Sequence, residues 1–145
     1  MQVDIQVRHW GYYTRIFRLK SFCQKVIENA WQGDEKAEIS VVLADDNFVR
    51  SLNKQYRHKD RPTNVLSFEN EGLMAGDIVV AYQTTLRESR EKGISFRAHL
   101  AHLLTHGALH LQGYDHLTDK QAEKMEKLEV KFLKKLGYQN PYKED

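Results

Sequence analysis

Apolar side chains alternate with polar ones at Val3, Ile5 and Val7, which puts them on one face of an extended chain, so residues 2–8 read as a strand. The period then lengthens. Ile16, Leu19, Cys23, Val26, Ile27 and Ala30 recur at steps of three and four, which predicts a helix over 15–31. Glu38–Leu43 reads as a second strand, bounded by the acidic pair Asp45-Asp46. Asp45 or Asp46 is suited to cap a helix running through about Tyr56, with Phe48, Leu52 and Tyr56 on its inner face. Beyond Pro62, the short apolar runs Val65–Phe68 and Ile78–Ala81 are expected to be strands. A helix from about Tyr82 to Lys92 should stop at Gly93, and another is predicted over Phe96–Gln112. Thr118 and Gln121 form a capping box that opens a last helix. Ala122, Met125, Leu128, Phe132 and Leu136 should face inward on it before Gly137 ends it. Strands and helices are mixed without strict alternation. The predicted fold is therefore α+β: a small mixed β-sheet of about four strands packed with five or six helices.

Composition narrows the class. A chain of 145 residues, 41% hydrophobic and 29% charged, is most simply one domain over 1–145, large enough to bury a core without disulfides. The lone Cys23 has no internal partner and sits among Phe22, Val26 and Ile27, as a buried helix residue would. That cysteine usage fits a reducing compartment, and a cytoplasmic location is expected. No apolar run reaches the 18 or so residues of a membrane span, and the first residues lack a signal-peptide pattern. A net charge of +2 permits a nucleic-acid partner without arguing for one.

The chemistry concentrates between His106 and His116. His106 and His110 are four apart, so a helix presents both on one face. Gly113 suits a helix end, after which the chain can turn and return His116 to the same point. Three neutral imidazoles leave the fourth position of a tetrahedral zinc ion free, as in a catalytic site rather than a structural one. The spacing is that of the metzincin proteases, which carry Glu after the first histidine as general base; here that position is Gly107. His99 and His102 lie near the same stripe. Because a helix rises 1.5 Å per residue, His102 and His110 stand about 12 Å apart along the axis and cannot share an ion. The pair 106/110 is the one followed by a turn able to supply a third ligand. His102 is left as a residue behind the ligands, an RNA-facing one or a plain helix-surface one, the last being favoured.

A second informative stretch joins a predicted helix to a predicted strand through a loop dense in cations: Arg50, Lys54, Arg57, Lys59 and Arg61. Any one of them would be an ordinary solvated charge near a helix C-terminus. Tyr56-Arg57 followed by Lys-Asp-Arg-Pro-Thr-Asn-Val-Leu-Ser-Phe, together with His106-Gly-Ala-Leu-His110-Leu-Gln-Gly113-Tyr-Asp-His116, resembles the YbeY family of bacterial endoribonucleases. The Gly76-Asp77-Ile78-Val79 run and the approach through His99 and His102 are similar to that family as well. The resemblance spans about 38–137, while the N-terminal third looks generic.

The resemblance implies a zincin-like metal helix and one Zn²⁺ ion on His106, His110 and His116. It also implies Arg57 as a catalytic residue and single-stranded RNA as substrate. The family's role is maturation of ribosomal RNA, notably the 3′ end of the 16S RNA of the small ribosomal subunit, and quality control of 70S ribosomes. Two departures stand out: Phe68 is followed by Glu69 where the family often has Pro, and the region from Phe68 to Gly76 is short. Both bear on substrate fit rather than on the ligands. Gly107 cannot act as general base; Asp115 could, or could orient a ligand, and attack by the RNA's own 2′-OH is the other route. Phe68, Tyr114 and Tyr56 are candidates for stacking on bases, although core packing is the commoner role of such residues. The rival readings are a non-catalytic, zinc-stabilised ribosome-assembly factor and, further off, a zinc peptidase.

Overall fold

The computed structural model describes residues 1–8, 18–57, 63–69 and 74–142. The order of elements is β1 (Gln2–Val7), α1 (Leu19–Ala30), β2 (Glu38–Ala44), α2 (Asp46–Arg57), β3 (Val65–Glu69), β4 (Met74–Ala81), α3 (Tyr82–Lys92), α4 (Phe96–Leu111) and α5 (Asp119–Lys135). The four strands form one mixed sheet in the order β1-β2-β4-β3. β1, β2 and β4 run parallel, with Ile5 opposite Val41 and Val41 opposite Ile78. β3 returns antiparallel along β4, with Leu66 opposite Val79. The α+β expectation holds, with four strands and five helices among the described residues.

Strand side chains alternate between two layers. Ile39, Val41 and Leu43 join Ile78 and Val80 in the main core, which α1, α4 and α5 cover with Val26, Ile27, Leu100, Leu104, Met125 and Phe132. Ala44, Leu66, Val79 and Ala81 point the other way and meet Val49, Phe48 and Leu52 of α2. α2 is started by Asp45, whose carboxylate accepts the Phe48 N–H at 2.9 Å. Asp46 instead reaches α3, accepting from the backbone N–H and the hydroxyl of Thr84 at 3.0 and 2.7 Å. The capping box of α5 is present, with Gln121 N–H donating to Thr118 at 3.1 Å and Thr118 N–H to Gln121 at 3.2 Å.

Three expectations need correction. β4 starts at Met74 rather than Ile78, because strand pairing with β2 continues through the irregular residue Gly76. There a Cβ would lie 2.2 Å from the Phe68 carbonyl oxygen, so the close approach of β3 and β4 needs glycine. Tyr56 is 57% exposed, not on the inner face of α2; it stands edge-on to Phe68 at 5.6 Å between ring centroids. The first helix starts at Leu19 rather than at 15, because Arg18 before it takes φ 71, a left-handed conformation outside the helix; the expected residues 15–17, including Ile16, lie outside the described residues.

α4 is the central element, buried along most of its length against the sheet on one side and α1 and α5 on the other. Gly107 permits the approach: a Cβ there would sit 3.0–3.3 Å from three side-chain carbons of Ile78. Gly107→Ala gains about 1 kcal/mol of helix propensity but overpacks this contact at a cost of about 1–3 kcal/mol. We expect a net loss, read as a melting temperature a few degrees lower by circular dichroism. A higher melting temperature would show that α4 has room to spare.

Candidate metal centre

His106 and His110 lie one turn apart near the C-terminal end of α4. The helix closes through N–H bonds from Gly113 to the His110 carbonyl at 3.0 Å and from Tyr114 to the Leu109 carbonyl at 3.2 Å. Gly113 takes φ 95, a left-handed conformation costly for any residue with a Cβ, and the chain turns back there. His116 returns against the other two. Ring centroids are 4.6 Å apart for 106/110, 5.0 Å for 110/116 and 5.5 Å for 106/116. One ring nitrogen from each residue falls within 4.8 Å of the others.

The hydrogen bonds around the rings say which nitrogens are free. Nδ1 of His106 lies 2.6 Å from the Glu129 carboxylate, and Nδ1 of His110 lies 2.9 Å from the Tyr114 carbonyl. An oxygen acceptor at each Nδ1 is satisfied by an N–H, so in the neutral rings both Nε2 atoms carry lone pairs. Those two Nε2 atoms face each other at 3.1 Å. Two lone pairs at that distance repel unless a cation lies between them. Nitrogens at about 2.0–2.1 Å from a tetrahedral ion stand about 3.3 Å apart, so the donor set fits a zinc-sized ion. Burial, reinforced by the neighbouring His106 and His116, pushes His110 below the ordinary histidine range, which favours the neutral, metal-binding form.

The three rings form one end of an open cleft of about 780 Å³. Its other wall is residues 63–69, including Asn64, Ser67 and Phe68 on or before β3, with Asp115 and Leu117 beside His116. The Asp115 carboxylate accepts the His116 backbone N–H at 2.8 Å and lies 3.8 Å from His116 Nδ1, so it steadies the returning turn. Arg57 is the last residue of α2, and its side chain lies outside the described set. Its neighbour Tyr56 touches Phe68, which puts that end of α2 beside the cleft wall. Lys59 and Arg61 lie outside the described residues.

His102 is buried rather than on the helix surface. Its Nε2 lies 3.1 Å from the Tyr142 hydroxyl and 3.5 Å from Glu129. His99 is also buried, with Nε2 2.9 Å from Glu88, whose same oxygen accepts from Asn64 at 3.0 Å. Sequence reasoning missed Glu129. The signal was present: Glu129 follows Met125 at a helical step of four and precedes Phe132 at three, so it is a carboxylate on an apolar stripe. Burial pushes its carboxyl up, but hydrogen bonds from His102, His106 and Tyr142 outweigh that and bring it down from the usual 4.5 to about 2.

A group whose carboxyl is lower in the folded than in the unfolded chain stabilises the fold above the unfolded value, and that stability is lost as pH falls toward the folded one. Glu129 should therefore cost the metal-free protein on the order of 3 kcal/mol between about pH 4.5 and 2. His99 and His110, both lowered chiefly by burial, begin the loss earlier, because the unfolded chain takes up their protons from about pH 6.5 downward. Urea melts across that range should show two descending steps, and a flat profile down to pH 3 would contradict this network.

Similarity to known proteins agrees with the geometry. Among the described residues, no helix is long and apolar enough to cross a membrane. A relative from Sinorhizobium medicae, an endoribonuclease YbeY, is 45% identical over an alignment of 160 positions that covers 98% of this chain and 94% of the relative. One of the same name from Erythrobacter litoralis is 42% identical, covering 98% of both. Another from Methylocella silvestris is 54% identical over 114 positions, 75% of this chain and 65% of that protein. A solution structure from Thermotoga maritima superposes with a TM-score of 0.61 at 28% identity, covering 91% of this chain and 88% of that one. The family model described as Endoribonuclease YbeY matches residues 4–137, so the likeness extends into the N-terminal third that looked generic, and the chain belongs to that family.

Proposed function

We propose that this chain is a single-strand-specific endoribonuclease that holds one zinc ion on His106, His110 and His116. Its role is maturation of ribosomal RNA at the 3′ end of the 16S RNA and quality control of ribosomes in the cytoplasm. The observation that carries the reading is the pair of facing Nε2 atoms at 3.1 Å, joined by His116 at the end of an open cleft. A zinc ion there supplies Lewis acidity toward a phosphoryl oxygen and acidifies water.

The rest falls to the chain itself. Glu129 and the Tyr114 carbonyl hold two imidazoles by their Nδ1 atoms, so Nε2 is presented to the cleft. Asp115 holds the turn that brings in His116. Arg57, always charged and forked, is suited to meet charge that builds on nonbridging phosphate oxygens. Tyr56 and Phe68 offer aromatic surface on which an unpaired base can stack, which favours a single strand over a duplex. At position 107 a side chain would be directed at Ile78 in the sheet, so Gly107→Glu is expected to confer no cleavage of casein.

The deciding experiment is cleavage of a single-stranded RNA oligonucleotide by highly purified protein, with His110→Ala and Arg57→Ala prepared in parallel. Cleavage by the unaltered protein alone supports the reading. Equal cleavage by all three identifies a contaminating ribonuclease. No cleavage by metal-loaded protein, with RNA binding intact, would favour a non-catalytic assembly factor.

A further inference from the structure

Glu129 is 0% exposed on a face of α5 otherwise built from Met125, Phe132 and Leu133. An isolated carboxylate in such a place costs several kcal/mol unless its oxygens are hydrogen-bonded, and an apolar residue of similar size often serves stability better. Its retention here is matched by where its bonds lead. Oε1 accepts from His106 Nδ1 at 2.6 Å, and Oε2 accepts from the hydroxyl of Tyr142. Tyr142 lies beyond the last helix. α5 ends at Lys135, the chain reverses through N–H bonds from Gly137 and Tyr138 to the carbonyls of Lys134 and Leu133, and Tyr142 comes back over α4. Its ring stands perpendicular to His102 at 5.3 Å.

The direction of the hydrogen bonds is fixed by their ends. His102 Nδ1 has no partner among the described residues, while Nε2 faces two oxygens, so the His102 proton sits on Nε2. Nε2–H then donates to the Tyr142 oxygen, Tyr142 O–H donates to Glu129 Oε2, and Glu129 Oε1 accepts a hydrogen bond from His106 Nδ1–H. The donors converge from two sides on the Glu129 carboxylate, Tyr142 on one oxygen and the back of the His106 ring on the other.

We propose that Glu129 and Tyr142 are positioning residues for the metal centre, with the C-terminal segment acting through Tyr142 to hold the carboxylate that fixes the tautomer and angle of His106. The inference rests on the metal reading of the three histidines but not on RNA cleavage. A carboxylate behind a ligating imidazole raises the basicity of the ligand nitrogen and locks its direction, and loss of such a partner typically weakens metal binding by about 10–100-fold. Without the Tyr142 hydroxyl, Glu129 Oε2 loses that donor, and the carboxylate is free to turn toward His102 and away from His106.

The test measures Zn²⁺ affinity of the full-length protein by competition with a chromophoric chelator, for the unaltered chain, Tyr142→Phe and Glu129→Gln. It also measures the melting temperature of each metal-free form and the His106 Nδ1–H resonance by ¹⁵N-edited NMR. Tyr142→Phe should bind Zn²⁺ about tenfold more weakly with a shifted His106 resonance, in a protein that still folds and whose metal-free melting temperature falls by the few degrees that loss of one hydrogen bond to a buried carboxylate brings. Glu129→Gln should lose about 10–100-fold. If Glu129→Gln fails to fold, Tyr142→Phe decides alone. Unchanged affinity and resonance in a folded Tyr142→Phe would overturn the proposal and leave the metal site standing. Failure of the unaltered protein to bind Zn²⁺ would overturn the metal site and the proposal with it.

Discussion

His110→Ala should release the metal and abolish cleavage while leaving the fold in place. His110 donates from Nδ1 to the Tyr114 carbonyl and presents Nε2 to His106, so its removal takes away one of the three proposed ligands, at the middle of the cluster. Loss of a single electrostatic donor in an active site costs about 10²–10³ in rate, and loss of the ion removes more than one such interaction, so cleavage should fall by more than about 10³. The metal-free protein should not be destabilised in proportion, because the substitution also removes a lone pair that repels its neighbour at 3.1 Å. The discriminating measurement is the melting temperature with and without Zn²⁺. The unaltered protein should gain about 2.7 kcal/mol at a free concentration 100 times Kd, and the variant essentially nothing. A variant that keeps its ion would place the site elsewhere.

Arg57→Lys should lose on the order of 10²–10³ in kcat with metal content and melting temperature hardly changed. Lysine keeps the charge but gives up the planar fork that binds two phosphate oxygens at once, and the two side chains are not equivalent at such a site. Arg57 ends α2 next to Tyr56, whose ring meets Phe68 on the cleft wall, whereas the three histidines belong to α4 and the turn after it. Separation onto different elements is why the effects should separate. Full activity in the lysine variant would reduce Arg57 to general attraction of a polyanion. Loss of zinc or of the fold would make it structural.

What could be read from the sequence was what depends on neighbours in the chain. Strict alternation at Val3, Ile5 and Val7 gave β1, and the capping pair Thr118 and Gln121 opened α5 at the expected residue. His106, His110, Gly113 and His116 span eleven positions, so one helix turn and one left-handed residue bring the rings together without help from distant chain. What escaped depends on tertiary contact. Glu129 meets His106 across 23 residues and Tyr142 meets His102 across 40, and no periodicity encodes either encounter. Tyr56 falls in register with Phe48 and Leu52, yet α2 reaches past the edge of the apolar layer by its last turn, and the ring is left outside. The early residues of β4 were unreadable as strand because glycine there signals a turn, whereas its purpose is to let the Phe68 carbonyl through.

Cys23 gives the protein a built-in clock. The thiol is wholly buried in the main core on α1, and that burial pushes its pKa up to about 12, so the native chain offers a labelling reagent neither access nor thiolate. Alkylation must await an opening of the core, and where reclosing outpaces reaction its rate follows the open population. Ligation of an ion some distance away on α4 should therefore be audible at Cys23: at 100 times Kd, labelling should slow by about 100-fold, with no need for the ion to approach the sulfur.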